Sequence, residues 1–155
     1  MSILLTITVD RSSVDYARTL TPLHNGIHVL REVKKIPDDD FTIQIEPVLK
    51  EGENSLKAIE VEERFRGRDV LLSELHVRAL LSTQDKIPEE LQGSTLLFPG
   101  IILVLDRMDF TPHPVMRQMN AMMSARYEGG KWQAAAAWLD GDCSEKEYVI
   151  TLIDG

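Results

Sequence analysis

The sequence is poor in residues that mark several functional classes. Its one cysteine, Cys143, excludes an intramolecular disulfide and suits a reducing compartment. Its longest apolar run, residues 96–105, contains Pro99 and Gly100 and is too short to cross a bilayer. It has no excess of basic residues either, and a net charge of −8 argues against nucleic-acid and anionic membrane partners. These absences predict a cytoplasmic protein that binds neither nucleic acid nor membranes.

The acidic residues are concentrated in one stretch. Between Asp38 and Glu63 there are nine aspartates and glutamates against two lysines, so this stretch carries −7 of the net −8. We expect it to form a solvated outer face of a sheet. A length of 155 residues and an apolar fraction of 43% suit one ordinary domain.

Hydrophobic periodicity predicts the elements of the fold. Apolar runs and alternation predict strands over residues 3–9, 41–48, 58–62 and 96–105, and residues 27–36 fit either a strand or a short helix. Residues 132–139 and 148–153 are predicted to form a C-terminal hairpin. Helical spacing and capping signals predict helices over 12–20, 70–82 and 113–127, and a single turn over 88–91. We therefore expect one α+β domain over residues 1–155, a mixed, largely antiparallel sheet with about three helices packed mainly on one face.

Two apolar runs end in the same dipeptide. Residues 3–9 lead into Asp10-Arg11, and residues 101–105 lead into Asp106-Arg107, each before a predicted helix. If the two strands are parallel and adjacent, the two carboxylates meet at one edge of the sheet. There they would hold Mg²⁺, or one would act as an acid and the other as a base, with His113 as a nearby base. The structural alternative is that each aspartate caps a helix, and that His113 does the same.

Arginine occupies every second position just before the predicted helix over 70–82, as Arg64, Arg66 and Arg68. An extended segment would project them from one side as an anion site, although preceding glutamates offer ordinary ion pairs. No metal site is predicted, because the Asn-Gly turn between His24 and His28 breaks the helix that a zinc pair would need. Cys143 has acidic neighbours and is expected to be a poor nucleophile.

Two segments suggest an interface. Four of the six methionines, which adapt to irregular surfaces, fall within eight residues. A run of four alanines, Ala134–Ala137, occupies a predicted strand although alanine is a weak strand former. The alternatives are that a helix of the same chain packs closely on the alanines and that the methionines belong to the core. The proposed interface residues are Met116, Met119, Met122 and Met123.

These observations favour a small, acidic, intracellular interaction or assembly protein without a clear catalytic signature. We expect it to form a homodimer or higher homo-oligomer and to need no cofactor. The alternative is a small hydrolase or metal-assisted phosphoryl enzyme that uses Asp10, Asp106 and His113. Mg²⁺ belongs only to that alternative.

Overall fold

The computed structural model describes residues 2–8, 28–32, 40–110 and 112–153. Strands dominate these residues, with two α-helices and two 3-10 turns among them. The predicted helix over 12–20, together with Asp10 and His24, lies outside the described residues. The strands are β1 (Ile3–Thr8), β2 (His28–Glu32), β3 (Asp40–Pro47), β4 (Leu56–Lys57), β5 (Thr95–Asp109), β6 (Val115–Glu128), β7 (Lys131–Trp138), β8 (Asp142–Cys143) and β9 (Glu147–Ile153). The helices are α1 (Ala58–Phe65) and α2 (Glu74–Ser82), and the 3-10 turns are Gln84–Lys86 and Glu89–Leu91.

The main sheet has the order β1-β3-β9-β5-β6-β7, and β2 also pairs with β5. All of its pairs are antiparallel except β5 with β9, while β4 and β8 form a separate small ladder. The predicted mixed, largely antiparallel sheet is therefore present. The predicted α+β packing with about three helices on one face is wrong, because strands make up about half of the structure and the described residues contain two helices.

Strand β5 bends at the predicted break. Phe98 lies opposite Met123 and Ile102 lies opposite Met122, so residues 99–101 have no register partner on β6. Pro99 has no N–H to contribute to a ladder, which makes this a natural position for a bulge. Before the bend β5 pairs with β9, and after it β5 pairs with β2. The bend thus lets one long strand join two parts of the sheet.

The sheet buries both of its faces. Neighbouring residues on a strand alternate between two apolar clusters, so that Met123 belongs to the cluster on the α2 side and Met122 to the cluster on the α1 side. Helix α2 contributes Val77 and Leu80 to the first, and α1 contributes Val61 to the second. The helices therefore pack on opposite faces, which corrects the expectation that helices cover mainly one.

Residues 58–62, predicted as a strand, begin helix α1. The buried side chains there are Ala58, Val61 and Glu62, a spacing of i, i+3 and i+4 that defines one helical face. The alternation of acidic and apolar residues over these few positions fits both periods. Burial of the helical face against β5 and β6 side chains such as Leu97 and Met122 decides between them.

The helix predicted over 113–127 is wrong, because residues 115–127 belong to strand β6 and His113 and Pro114 lie in the connection before it. Methionine and alanine favour helices locally, and Gly129-Gly130 resembles a helix end. In the structure the two glycines have φ of 63° and 83° and close a tight hairpin between β6 and β7. Strand pairing on both sides of β6 overrides the local preference.

The predicted C-terminal hairpin is also wrong in its pairing. Both strands exist, as β7 and β9, but β7 pairs with β6, and β9 lies between β3 and β5. The intervening residues instead place β8 beside β4.

The helix predicted over 70–82 is confirmed from Glu74 onward, as α2. The buried Ser73 precedes it, and the backbone N–H of Ser73 donates to Nδ1 of His76 at 3.1 Å. No helix in the described ranges is long and apolar enough to cross a membrane.

Candidate interaction site

A two-stranded arm extends past the described parts of the neighbouring strands. Among the described residues, which begin in this region at His28, β2 pairs with β5 as far as Val104, and β7 pairs with β6 from Ala121 onward. Beyond these points residues 105–109 of β5 and 115–119 of β6 pair with each other, and we call this pair the arm. Two-stranded ribbons are marginally stable alone, so contacts at the base of the arm matter for its position.

One face of the arm carries Met108 and Met116 together with Asp106 and Gln118, and the tip of the arm carries further apolar side chains. Met108 and Met116 lie directly opposite each other and are 40% and 56% exposed. At the tip Phe110 is 71% exposed and Val115 is 42% exposed. Exposed apolar side chains that adjoin one another are typical of interaction surfaces, whereas single ones are ordinary. These four side chains are the apolar patch of the arm.

The opposite face of the arm carries an ion-pair network. Arg107 donates from Nη1 to Asp140 at 2.9 Å and from Nε to Asp109 at 3.2 Å, and its guanidinium lies 5.0 Å from the ring centre of Trp138. Arg117 lies 3.6 Å from the second carboxylate oxygen of Asp109. The hydrogen bond from Arg107 holds the pKa of Asp140 below its usual value. This network ties the arm to the turn after β7 and so presents the apolar patch in a defined orientation.

A groove lies where the arm joins the body of the protein. Its volume is about 380 Å³, and it runs between the base of the arm, the start of α1 and the turn after β7. Ile59, which is 39% exposed, and Met119 contribute apolar surface to it. The N–H groups of Ala58 and Ile59 donate to the carbonyls of Gly141 and Leu139, so these two donors at the helix start are already used. The full lining is Lys57, Ile59, Gln118, Met119, Asn120, Leu139 and Asp140.

The four methionines predicted as an interface separate into two groups. Met116 is exposed on the arm and Met119 lines the groove, whereas Met122 and Met123 are fully buried in the two cores. The period of two in a strand therefore gives the methionines different environments. The sequence interpretation missed Met108, Phe110 and Val115, although Met108 and Phe110 already show strand alternation after Asp106.

The residues proposed for catalysis are not gathered in a cleft of the described structure. Asp106 is exposed within β5, opposite Gln118, and β5 continues for three residues before turning into β6 rather than a helix. The helix cap expected at Asp106 is therefore wrong. His113 is exposed in the connection between β5 and β6, and Asp10 is outside the described residues. Within the described ranges no three His, Cys, Asp or Glu side chains are grouped as metal ligands.

The three arginines proposed for anion binding are at the end of α1 and just beyond it. Arg64 is paired with both carboxylate oxygens of Glu53, and Arg66 is paired with Glu62. Arg68 stacks 5.1 Å from the ring centre of Phe65. Helix α2 begins only at Glu74, so its N-terminus does not adjoin the arginines as the sequence suggested.

Cys143 is buried rather than placed in a polar loop. It lies on β8 opposite Leu56 and packs in the α1-side cluster. Burial, with smaller contributions from Glu147 and Asp142, raises the pKa of its thiol from 9.0 to about 11. The prediction of a poor nucleophile thus agrees with the structure, although burial contributes more than the acidic neighbours.

We expect the Cys143 thiol to react with an aromatic disulfide reagent at pH 8 at least ~100-fold more slowly in the folded chain than in urea, because the thiolate is the reacting form. The folded chain also holds the thiol proton more tightly, so stability is lost as the pH rises from the ordinary pKa of 9.0 through about 11. The rate is followed by absorbance, with the urea-unfolded chain as the reference. Equal rates in the two states would contradict this environment.

Comparisons of the chain with protein-family models, with curated proteins and with solved structures found no match.

Proposed function

We propose that this chain is a small interaction or assembly protein that self-associates, with the apolar patch of the arm as a contact surface. The observation that carries the proposal is that four exposed apolar side chains lie near one another on the arm, with Met108 and Met116 on one face and Phe110 and Val115 at the tip. The groove at the base of the arm adds apolar surface next to it. Adaptable methionine side chains at both places suit a protein contact.

The composition supports the remaining parts of the proposal. A single cysteine in the thiol form fits the reducing cytoplasm, and a net charge of −8 fits a partner that is neither nucleic acid nor an anionic membrane. A second copy of the chain is the proposed partner, since two-fold dimers are the commonest assemblies. For the alternative enzyme with Asp106 and His113, the described residues add no supporting geometry, because both side chains are exposed on or beside the arm.

Light scattering behind a sizing column at low micromolar concentration tests the proposal. We expect the wild-type mass to be a multiple of 17.5 kDa. Met116→Lys should move the mass toward that of the monomer while the fold is kept, because Met116 is 56% exposed and the lysine places a charge in the contact. The matched control is Leu4→Lys, which changes a 60% exposed apolar residue on β1 and should leave the mass unchanged. A wild-type mass of 17.5 kDa would overturn the proposal.

A further inference from the structure

The outer edge of β7 carries backbone groups in a regular pattern. In an antiparallel pair, the residues on one strand alternately direct their N–H and C=O groups toward the partner and away from it. The tight turn at Gly129-Gly130 starts the ladder at Glu128 and Lys131, and the N–H of Leu139 still bonds to the carbonyl of Asn120. The backbone groups of the odd-numbered residues of β7 therefore face β6. Those of the even-numbered residues point outward, and these residues are Trp132, Ala134, Ala136 and Trp138.

Both ends of this outward row are already occupied. The side-chain amide of Gln84 accepts the Trp132 N–H at 2.7 Å and donates to its C=O at 3.2 Å, as a paired strand would. The C=O of Trp138 accepts the N–H of Gly141 at 3.0 Å. Between these ends, the N–H and C=O of Ala134 and Ala136 have no hydrogen-bond partner anywhere in the described chain. The open edge thus includes the N–H and C=O groups of Ala134 and Ala136 and the N–H of Trp138, for which the described residues likewise show no partner.

The open groups are arranged symmetrically about Ala135. If a second β7 approaches antiparallel with a two-fold axis at Ala135, each Ala134 lies opposite the other copy's Ala136. Each such pair exchanges two hydrogen bonds, so the N–H and C=O groups of Ala134 and Ala136 are all satisfied in each copy. No charged residue lies between Lys131 and Asp140, so the central strands meet without like-charge repulsion even though each chain carries −8.

We propose that β7 pairs with β7 of a second copy about Ala135, which joins the two main sheets into one continuous sheet. This inference rests on the proposed self-association and adds to the contact of the arm a backbone pairing between the two copies. The small alanine side chains let the two strands approach without steric conflict, and an unprotected edge without charge or proline is a known template for pairing. The bonds of Gln84 and Gly141 limit the pairing to the central residues.

Cross-linking at Ala135 tests the register. Residues opposite each other at a position without ladder hydrogen bonds have Cα atoms ~4.5 Å apart, which is within the range that a disulfide spans. Ala135→Cys should therefore give a covalent dimer on a non-reducing gel after mild oxidation. Ala137→Cys is the matched control, since Ala137 would face Gln133 of the second copy and should not cross-link. The wild type, whose Cys143 is buried, should not cross-link either.

Proline substitutions test the same edge without cysteine chemistry. Ala136→Pro removes an N–H that faces outward, so the fold should be kept while the oligomer dissociates. Ala135→Pro removes an N–H that faces Ser124 on β6, so it should instead lower the melting temperature. An oligomeric wild type in which Ala135→Cys forms no dimer overturns the β7 pairing and leaves the proposed function standing, whatever the folding of the proline variants. A monomeric wild type that also gives no Ala135→Cys dimer overturns both.

Discussion

Replacing Phe98 with alanine is expected to lower the free energy of unfolding by about 3–5 kcal/mol. Phe98 is fully buried in the α2-side cluster, immediately before the bend in β5 and opposite Met123. The substitution removes apolar surface from the core and leaves a cavity that a strand held on both sides cannot close. Urea unfolding followed by far-ultraviolet circular dichroism gives the difference.

Phe110→Ala is the matched control for this experiment. The side chain is the same, but Phe110 is 71% exposed at the tip of the arm, so the expected change is within about 0.5 kcal/mol. Both variants are measured at a concentration where the chains are monomeric, because Phe110 belongs to the proposed contact and weaker association would also lower the apparent stability. Similar losses for the two variants would mean that Phe98 is not a core residue.

Met122→Lys should prevent folding or reduce stability by more than about 4 kcal/mol, whereas Met116→Lys should leave the folded structure intact. The two methionines lie six residues apart on β6 and so belong to the same face of the strand. Met122 is 0% exposed and Met116 is 56% exposed, because β7 and α1 cover only the first. A lysine ammonium buried there must be desolvated at a large cost.

Thermal melts of the two lysine variants and the wild type provide the measurement. Met123→Lys is a further control, because Met123 is buried on the opposite face and should be as damaging as Met122→Lys. If Met116→Lys also prevents folding, the arm is part of a core and its apolar patch is not an exposed surface.

Several elements were predictable because their local pattern has one interpretation. The alternation of Phe41, Ile43 and Ile45 predicts a half-buried strand, and β3 forms there. The long apolar run with Pro99 and Gly100 predicts a strand with a break, and β5 bends at that position. Strong propensity or strict periodicity acts within a few residues, so it survives whatever tertiary contacts form around it.

The errors occurred where the local pattern has two interpretations. Over 58–62 the same residues satisfy a period of two and a period of 3.6, and only contact with the α1-side cluster selects the helix. Over 115–128 the composition favours a helix, and only pairing with β5 and β7 selects the strand. The candidate site follows from the strand that replaces the predicted helix, because Met108 and Phe110 belong to the part of the β5–β6 pair beyond β7 and beyond the described part of β2.

By itself the sequence determined the strands with clean alternation, the break at Pro99-Gly100, the low reactivity expected of Cys143 and the acidic character of residues 38–63. Those properties follow from the backbone preferences, side-chain polarity and charge of neighbouring residues. Only the tertiary structure decided that β6 is a strand, that β9 lies between β3 and β5, and that Ala134 and Ala136 leave backbone groups open at an edge. Such features depend on pairing between residues far apart in the chain, and the free energy of that pairing is not encoded in any one segment.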